Sequence, residues 1–337
     1  MKAFEIVKGS TSLDGLRMTE REQPEPVRGQ VLIRVYAASV NYRDLAIVSG
    51  RYIGGSVQRD TIALSDGAGE VVAVGADVDR FKVGDRVAGT FFQGWVEGVP
   101  SASVAALGSP LDGMLAEYVA LDQEGLVPVP VHLSFEQAAT LPCAAVTAWN
   151  ALMVNGRIKP GDSVLALGTG GVSIFALQFA RMSGARVIIT SSSDEKLERA
   201  MAMGADAGIN YRNTPDWEQE VLSLTGGAGV DHVVEVGGAG TLAKSFQAVG
   251  YGGQVTLIGV LSGREGDTNP HPLMPKAARL QGVFVGSREM FENMNRAISI
   301  NQMIPVVDKV FPFDDAPRAY KFQMAGRHFG KIVISID

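Results

Sequence analysis

The chain of 337 residues is 46% hydrophobic and 20% charged with a formal net charge of -6. That is a globular composition with room for two domains, and no stretch concentrates Lys and Arg, which argues against binding nucleic acid or an anionic membrane surface. Cys143 is the one cysteine and His132, His232, His271 and His328 the only histidines, so neither an intramolecular disulfide nor a four-cysteine zinc site can form; no apolar run spans a bilayer, the N-terminus has no signal-peptide core, and a cytoplasmic location is the default expectation.

Residues 1–145 read as short β-like runs separated by Gly, Pro and Asp. Residues 30–35 alternate, with Val31, Ile33 and Val35 on one face, and 70–74 and 86–88 are further short strands with turn chemistry between them. From about residue 146 the texture changes. Residues 163–167 form an apolar run leading through glycines into a helical stretch at 174–182 that closes at Gly184. There follow a strand at 186–190, a helix at 196–203, a weak strand at 208–210, a helix at 217–224, a strand at 231–236, a helix at 242–249, and strands at 254–260 and 280–285. Short β-branched runs alternating with helices of about ten residues imply a parallel sheet built from right-handed βαβ units. The chain ends with one or two more helices and a strand at 331–336. The polar loop at 261–275, with Gly263, Gly266 and Pro270, is long enough to be mobile.

The segment Gly168-Thr169-Gly170-Gly171-Val172-Ser173 follows the first of these strands and opens a helix. Such a turn presents free backbone N–H groups and the positive end of the helix dipole, and glycines let the backbone approach a pyrophosphate. The third small position is Ser173 in place of Gly or Ala. The motif alone is weak, but its place at the head of a six-strand series is the context it requires, and it points to a bound nicotinamide dinucleotide. About 20 residues on, the second strand ends in Ser191-Ser192-Ser193, where an acidic residue would bind the ribose 2′-OH of NAD. Serines remove a charge that would repel a 2′-phosphate, and Lys196, Tyr211 and Arg212 could contact one, so NADPH is expected over NADH, with NADH still possible. Residues 192–195 also satisfy a capping box that would simply start the next helix.

At this point the sequence resembles the medium-chain dehydrogenase/reductase superfamily over almost its whole length. The segments that carry the resemblance are Val40-Asn41-Tyr42-Arg43-Asp44, Ser65-Asp66-Gly67-Ala68-Gly69, Val83-Gly84-Asp85-Arg86-Val87, Gly113-Met114-Leu115-Ala116-Glu117-Tyr118, Leu141-Pro142-Cys143-Ala144-Ala145-Val146-Thr147-Ala148, the glycine turn and Gly330-Lys331-Ile332-Val333. The resemblance implies an α/β protein with a GroES-like, β-rich catalytic domain (1–145 and 285–337) and a Rossmann coenzyme domain with a doubly wound parallel sheet (146–284), acting on a small-molecule substrate as a homodimer joined through the coenzyme domains. It also implies that Tyr42 and Lys331 approach the pyrophosphate and nicotinamide end, that Thr147 lies near the nicotinamide, and that Val260 and Val285 flank the carboxamide through backbone groups. Lys331 could also simply be a solvated charge before an edge strand.

Zinc-dependent members place Cys, His and Cys around the catalytic metal. The matching positions here are Asn41, Ser65 and Cys143, with Asp66 the one nearby carboxylate that could sustain a weak site. Only one ordinary zinc ligand survives, and the four-cysteine lobe is replaced by residues 90–110 with Phe91, Phe92 and Trp95, so no zinc is expected. Without a metal, a conjugated enone or quinone is a more tractable hydride acceptor than a plain carbonyl. Such a reaction needs an oxyanion donor and a proton source, for which Tyr52 and then Asn41 are the candidates. Tyr52 could instead only pack, and Asn41 could be an Asx-turn residue. Arg43 and Asp44 read as an ordinary ion pair and Cys143 as a small buried thiol. Two other readings stand beside this one: an alcohol dehydrogenase-like enzyme on a C–OH/C=O pair, and an NADPH-binding protein without turnover.

Overall fold

The computed structural model describes residues 1–336 other than Arg264 and Asp267; those two, inside the 261–275 loop, and Asp337 in the C-terminal part lie outside the described residues. Its contacts divide the chain into two units, Met1–Val146 together with the chain from Gly286 onward, and Thr147–Val285.

The first unit is built on a seven-stranded sheet whose spine is Gln30–Val40. This strand pairs antiparallel with Asp66–Val74 along its length, with Tyr118–Asp122 at its start and with Lys331–Ser335 at its end. Val31, Ile33 and Val35 are buried, but so is Leu32, because neighbouring segments cover both faces and the strand shifts register at Leu32/Ile33. The expected one-sided alternation therefore holds only in part. Lys331–Ser335 is an interior strand, parallel to Val307–Pro312 on its other side, and not the edge strand considered above. Ile33, Val71, Leu121, Phe311, Tyr320 and Ile334 belong to one buried cluster. Phe91, Phe92 and Trp95 pack on one another with ring centroids 4.7 and 5.9 Å apart, so residues 90–110 form a small aromatic-centred lobe.

The second unit holds a parallel six-stranded sheet in the order Ala207–Asn210, Arg186–Ser191, Ser163–Ala166, Val230–Glu235, Val249–Leu257, Arg279–Gly282. The first and fourth strands of the series are neighbours at its centre, the switch point of a doubly wound sheet, where ligands bind beyond the carboxyl ends of the strands. Val164, Leu165, Val233 and Val234 are fully buried, as continuous apolar central strands require. The intervening helices are Gly171–Met182, Asp194–Ala202, Trp217–Leu224 and Ala239–Ala248. Two strands differ from expectation: the fifth runs Val249–Leu257 and leaves Val260 outside it, and the sixth is only Arg279–Gly282, exposed at every position, so that Val285 also lies beyond a strand end. Among the described residues no helix is long and apolar enough to cross a membrane.

Candidate active site

In the second unit the first strand ends at Ala166, and the chain passes Gly168, in the left-handed region at φ 75°, into the helix Gly171–Met182. The Gly168 N–H donates to Thr190 Oγ1 at 3.1 Å, tying the turn to the second strand. Ser173 is buried and its hydroxyl donates to the Leu167 carbonyl at 2.6 Å, so a serine keeps the close helix–strand packing of the third small position. Gly170 is the informative residue. Its φ of -80° suits any amino acid, and a Cβ added there meets nothing within 4 Å. Neither backbone nor packing requires glycine. What a side chain would fill is the open space before a helix N-terminus that no side chain caps and whose first N–H groups have no intrahelical partner. Thr169 is buried, and Gly171 and Val172 are half-buried. These residues fit a dinucleotide pyrophosphate.

At the end of the second strand Ser191 is buried, and its hydroxyl accepts from the Ser193 N–H at 3.3 Å. The helix that follows is capped by Ser193, which accepts from Lys196 N at 3.4 Å. The capping box expected over 192–195 does not form: with Ser193 as the cap, the third helical residue is Lys196, which has no acceptor to return to the cap N–H. Tyr211 is half-exposed beside this strand end, its N–H donating to the Ser191 carbonyl at 3.0 Å. The nearest acid in sequence, Asp194, accepts from Asn210 Nδ2 at 2.6 Å. Thr147 is buried and Val260 is partly exposed. Val285 is buried with φ 58°, and its carbonyl accepts from Asn150 Nδ2 at 2.7 Å. Sequence reasoning missed Glu235. Fully buried at the end of the fourth strand, it accepts from Gly237 N at 2.7 Å, Gly238 N at 3.1 Å, Thr241 Oγ1 at 2.6 Å and the Ser245 hydroxyl, and so shapes the loop into the next helix. An acid at the end of the fourth strand, one residue short of Gly237-Gly238, was its only signal.

In the first unit Asn41, Arg43, Asp44, Ser65, Asp66 and Lys331 are buried, and Tyr52 and Cys143 pack into the same region. The Lys331 ammonium donates to the Val40 carbonyl at 2.8 Å and to Asn41 Oδ1 at 2.5 Å, so it is not a solvated charge: an interior strand carries it into the protein. Asn41 Nδ2 leans toward Asp66 but is buried without a hydrogen bond of good geometry among the described residues. The Arg43–Asp44 pair is likewise not an ordinary surface pair. Its side chains are 7% and 1% exposed, the charged atoms stand 3.6 Å apart, and the guanidinium donates to the Leu107 carbonyl at 2.9 Å and the Ser109 carbonyl at 3.2 Å. That guanidinium lies 5.0 Å from the Tyr52 ring and 4.6 Å from the Phe91 ring. The Tyr52 hydroxyl is near Arg43 yet buried with no well-formed hydrogen bond among the described residues. Tyr42, half-exposed on the first turn of Tyr42–Val48, stands outside this cluster.

Burial sets the protonation here. It raises the Tyr52 hydroxyl, opposed by Arg43, and raises the Asp66 carboxyl, opposed by Lys331. Burial, reinforced by Asp66, pushes the Cys143 thiol well up, which keeps it protonated. The Asp44 carboxyl is raised from 3.8 to about 6, chiefly by burial and against the pull of Arg43. The folded state therefore holds the Asp44 proton more tightly than the unfolded chain, and stability falls as pH rises from about 4 to about 6. The unfolding free energy of the wild type relative to Asp44→Asn should drop by about 3 kcal/mol over that window. Parallel denaturant titrations check this, and a difference that does not vary with pH would contradict it.

The residues at the three metal-ligand positions do not fit zinc. Asn41 Oδ1 already faces an ammonium, Ser65 Oγ donates to Asp66 Oδ1 at 2.7 Å, and Asp66 Oδ2 accepts from the Cys143 N–H at 3.1 Å. Among the described residues no group of three or more His, Cys, Asp or Glu side chains is placed to hold a metal.

Residues 27–131 match the family model for an alcohol dehydrogenase GroES-like domain and residues 171–299 that for a zinc-binding dehydrogenase. The chain belongs to the medium-chain dehydrogenase/reductase superfamily, with its GroES-like and Rossmann-type domains. It is 45% identical to a zinc-type alcohol dehydrogenase-like protein of Schizosaccharomyces pombe over 97% of each chain, and 29% identical to the quinone oxidoreductase of Homo sapiens over 88% of this chain and 86% of that one. A crystal structure of an NAD-dependent alcohol dehydrogenase superposes with a TM-score of 0.92 at 32% identity, covering 100% of both chains. The protein is accordingly a nicotinamide-dependent oxidoreductase acting on a small molecule.

Proposed function

We propose that the protein is an NADPH-dependent reductase of activated alkenes or quinones that works without zinc. The observation that carries this reading is the 2.5 Å bond from the Lys331 ammonium to Asn41 Oδ1, which puts a protein cation against the residue that would otherwise begin the metal site. The dinucleotide is held at Gly168–Val172, with Ser191, Ser192, Lys196 and Tyr211 around the 2′-phosphate and Thr147, Val260 and Val285 at the nicotinamide; when bound it supplies a hydride. Lys331, with its charge spent on Val40 and Asn41, acts through Asn41. As hydride adds to the β-carbon of the conjugated acceptor, an electron pair moves onto the substrate oxygen. Tyr52 donates a hydrogen bond there, Asn41 Nδ2 offers a second donor, and a proton from Tyr52 or water completes the addition.

The exposed edge strand Arg279–Gly282, with Leu280 and Phe284 half-exposed, supports a homodimer formed through this sheet. The reading is tested by a cofactor-oxidation screen with NADPH and NADH against enones, quinones and aldehydes, run on chelator-treated protein with zinc measured in the same sample. NADPH oxidation by enones or quinones at substoichiometric zinc is expected. Activity confined to alcohol–aldehyde pairs, lost on chelation and restored by zinc, would establish the alcohol dehydrogenase reading suggested by the names of its relatives.

A further inference from the structure

Val285 is a β-branched residue in the left-handed region at φ 58°, a conformation that L side chains with two substituents on Cβ rarely adopt. It sits just past the end of the sixth strand, at the carboxyl edge of the parallel sheet. Something must hold it there, since isolated backbone strain of this kind relaxes unless the surroundings fix it. Its carbonyl is gripped at 2.7 Å by Asn150 Nδ2, from a side chain only 4% exposed. The other end of that amide is fixed as well, because Asn155 Nδ2 donates to Asn150 Oδ1 at 2.6 Å. Both asparagines lie on Asn150–Asn155, a π-helical turn, and the i→i+5 pattern of such a turn is what lets positions 150 and 155 meet. With both ends of its amide engaged, Asn150 has one orientation, and a two-asparagine clamp grips the strained residue.

We propose that Asn150, oriented by Asn155, is a positioning residue for hydride transfer: it fixes the Val285 backbone in its left-handed conformation and thereby sets the angle at which the nicotinamide is presented. This rests on the reading that Val285 flanks the nicotinamide carboxamide. Asn150 touches neither cofactor nor substrate. Removing its grip therefore spoils orientation more than affinity, and misplacement on the scale of an ångström costs about 100-fold in rate.

The test uses Asn150→Ala, Val285→Gly and the double variant in the full-length protein, with kcat, the NADPH dissociation constant and the melting temperature measured for each. Asn150→Ala should lower kcat about tenfold to 100-fold while the NADPH dissociation constant changes less than about threefold. In the Val285→Gly background, where a positive φ carries no penalty, the same substitution should cost kcat less than about threefold. If Asn150→Ala fails to fold, Asn155→Ala replaces it, with a smaller loss in the same direction and the same suppression by Val285→Gly. An unchanged kcat, a loss of equal size in both backgrounds, or a fall in melting temperature alone overturns the proposal. A wild-type protein that binds no nicotinamide dinucleotide overturns the reading beneath it as well, whereas a wild type that binds NADPH with an unaffected Asn150→Ala overturns the clamp only.

Discussion

Tyr52→Phe is expected to lower turnover on a conjugated enone by about 10²-fold to 10³-fold, the range seen when one oxyanion donor is removed, with NADPH affinity unchanged. The hydroxyl is buried, and burial raises its pKa, so it carries its proton at neutral pH. Its polar neighbour among the described residues is the Arg43 guanidinium, in poor hydrogen-bond geometry, so removing the hydroxyl costs little internal bonding. Melting temperature should therefore hold or rise while kcat falls, a split that separates a catalytic loss from a folding defect. The ring stays between Arg43 and the core cluster in the variant, because phenylalanine keeps the face that lies 5.0 Å from the guanidinium. Steady-state kinetics, an NADPH titration and a melting curve decide it, and full activity would remove Tyr52 from the mechanism.

Gly170→Ala carries the second large effect. In the free protein the substitution has room, since nothing lies within 4 Å of the added Cβ and φ is -80°. It should stabilise the fold by about 0.4–1 kcal/mol through the unfolded chain. The same methyl group stands where the pyrophosphate must approach the N–H groups that open Gly171–Met182. Weakening one or two charge-assisted hydrogen bonds there costs about 1.5–3 kcal/mol each, or 10-fold to 100-fold or more in affinity. A more stable protein with much weaker NADPH binding is the expected result. Unchanged binding would mean that the turn does not hold the dinucleotide.

The parallel sheet was legible because its central strands are buried on both faces and carry short apolar stretches at their centres, as residues 164–166 and 233–234 do. Strand ends were less legible. Tyr251, Gly252 and Gly253 interrupt the apolar pattern of Val249–Leu257, and the edge strand Arg279–Gly282, being exposed, obeys no burial rule. The glycine turn could be read because its chemistry is local to six consecutive residues. The buried polar cluster could not: Arg43 and Asp44 look like any adjacent opposite charges until Phe91, 48 residues on, and Leu107 and Ser109, 64 and 66 residues on, close over them. The alternative of a solvated Lys331 failed for a related reason, since a lysine after glycine suggests an exposed strand start, and only the pairing of Lys331–Ser335 on both sides takes it inside. The hold of Asn150 on Val285 is silent in sequence because positive φ at a valine has no local signature.

Crystals of the protein soaked with NADPH test the central claim most directly. The pyrophosphate should lie within hydrogen-bond distance of the backbone N–H groups at Gly170–Val172, with the Lys331–Asn41 contact intact and no metal between Asn41 and Cys143. Density for the cofactor away from this turn, or a turn that stays empty at saturating NADPH, would contradict the assignment.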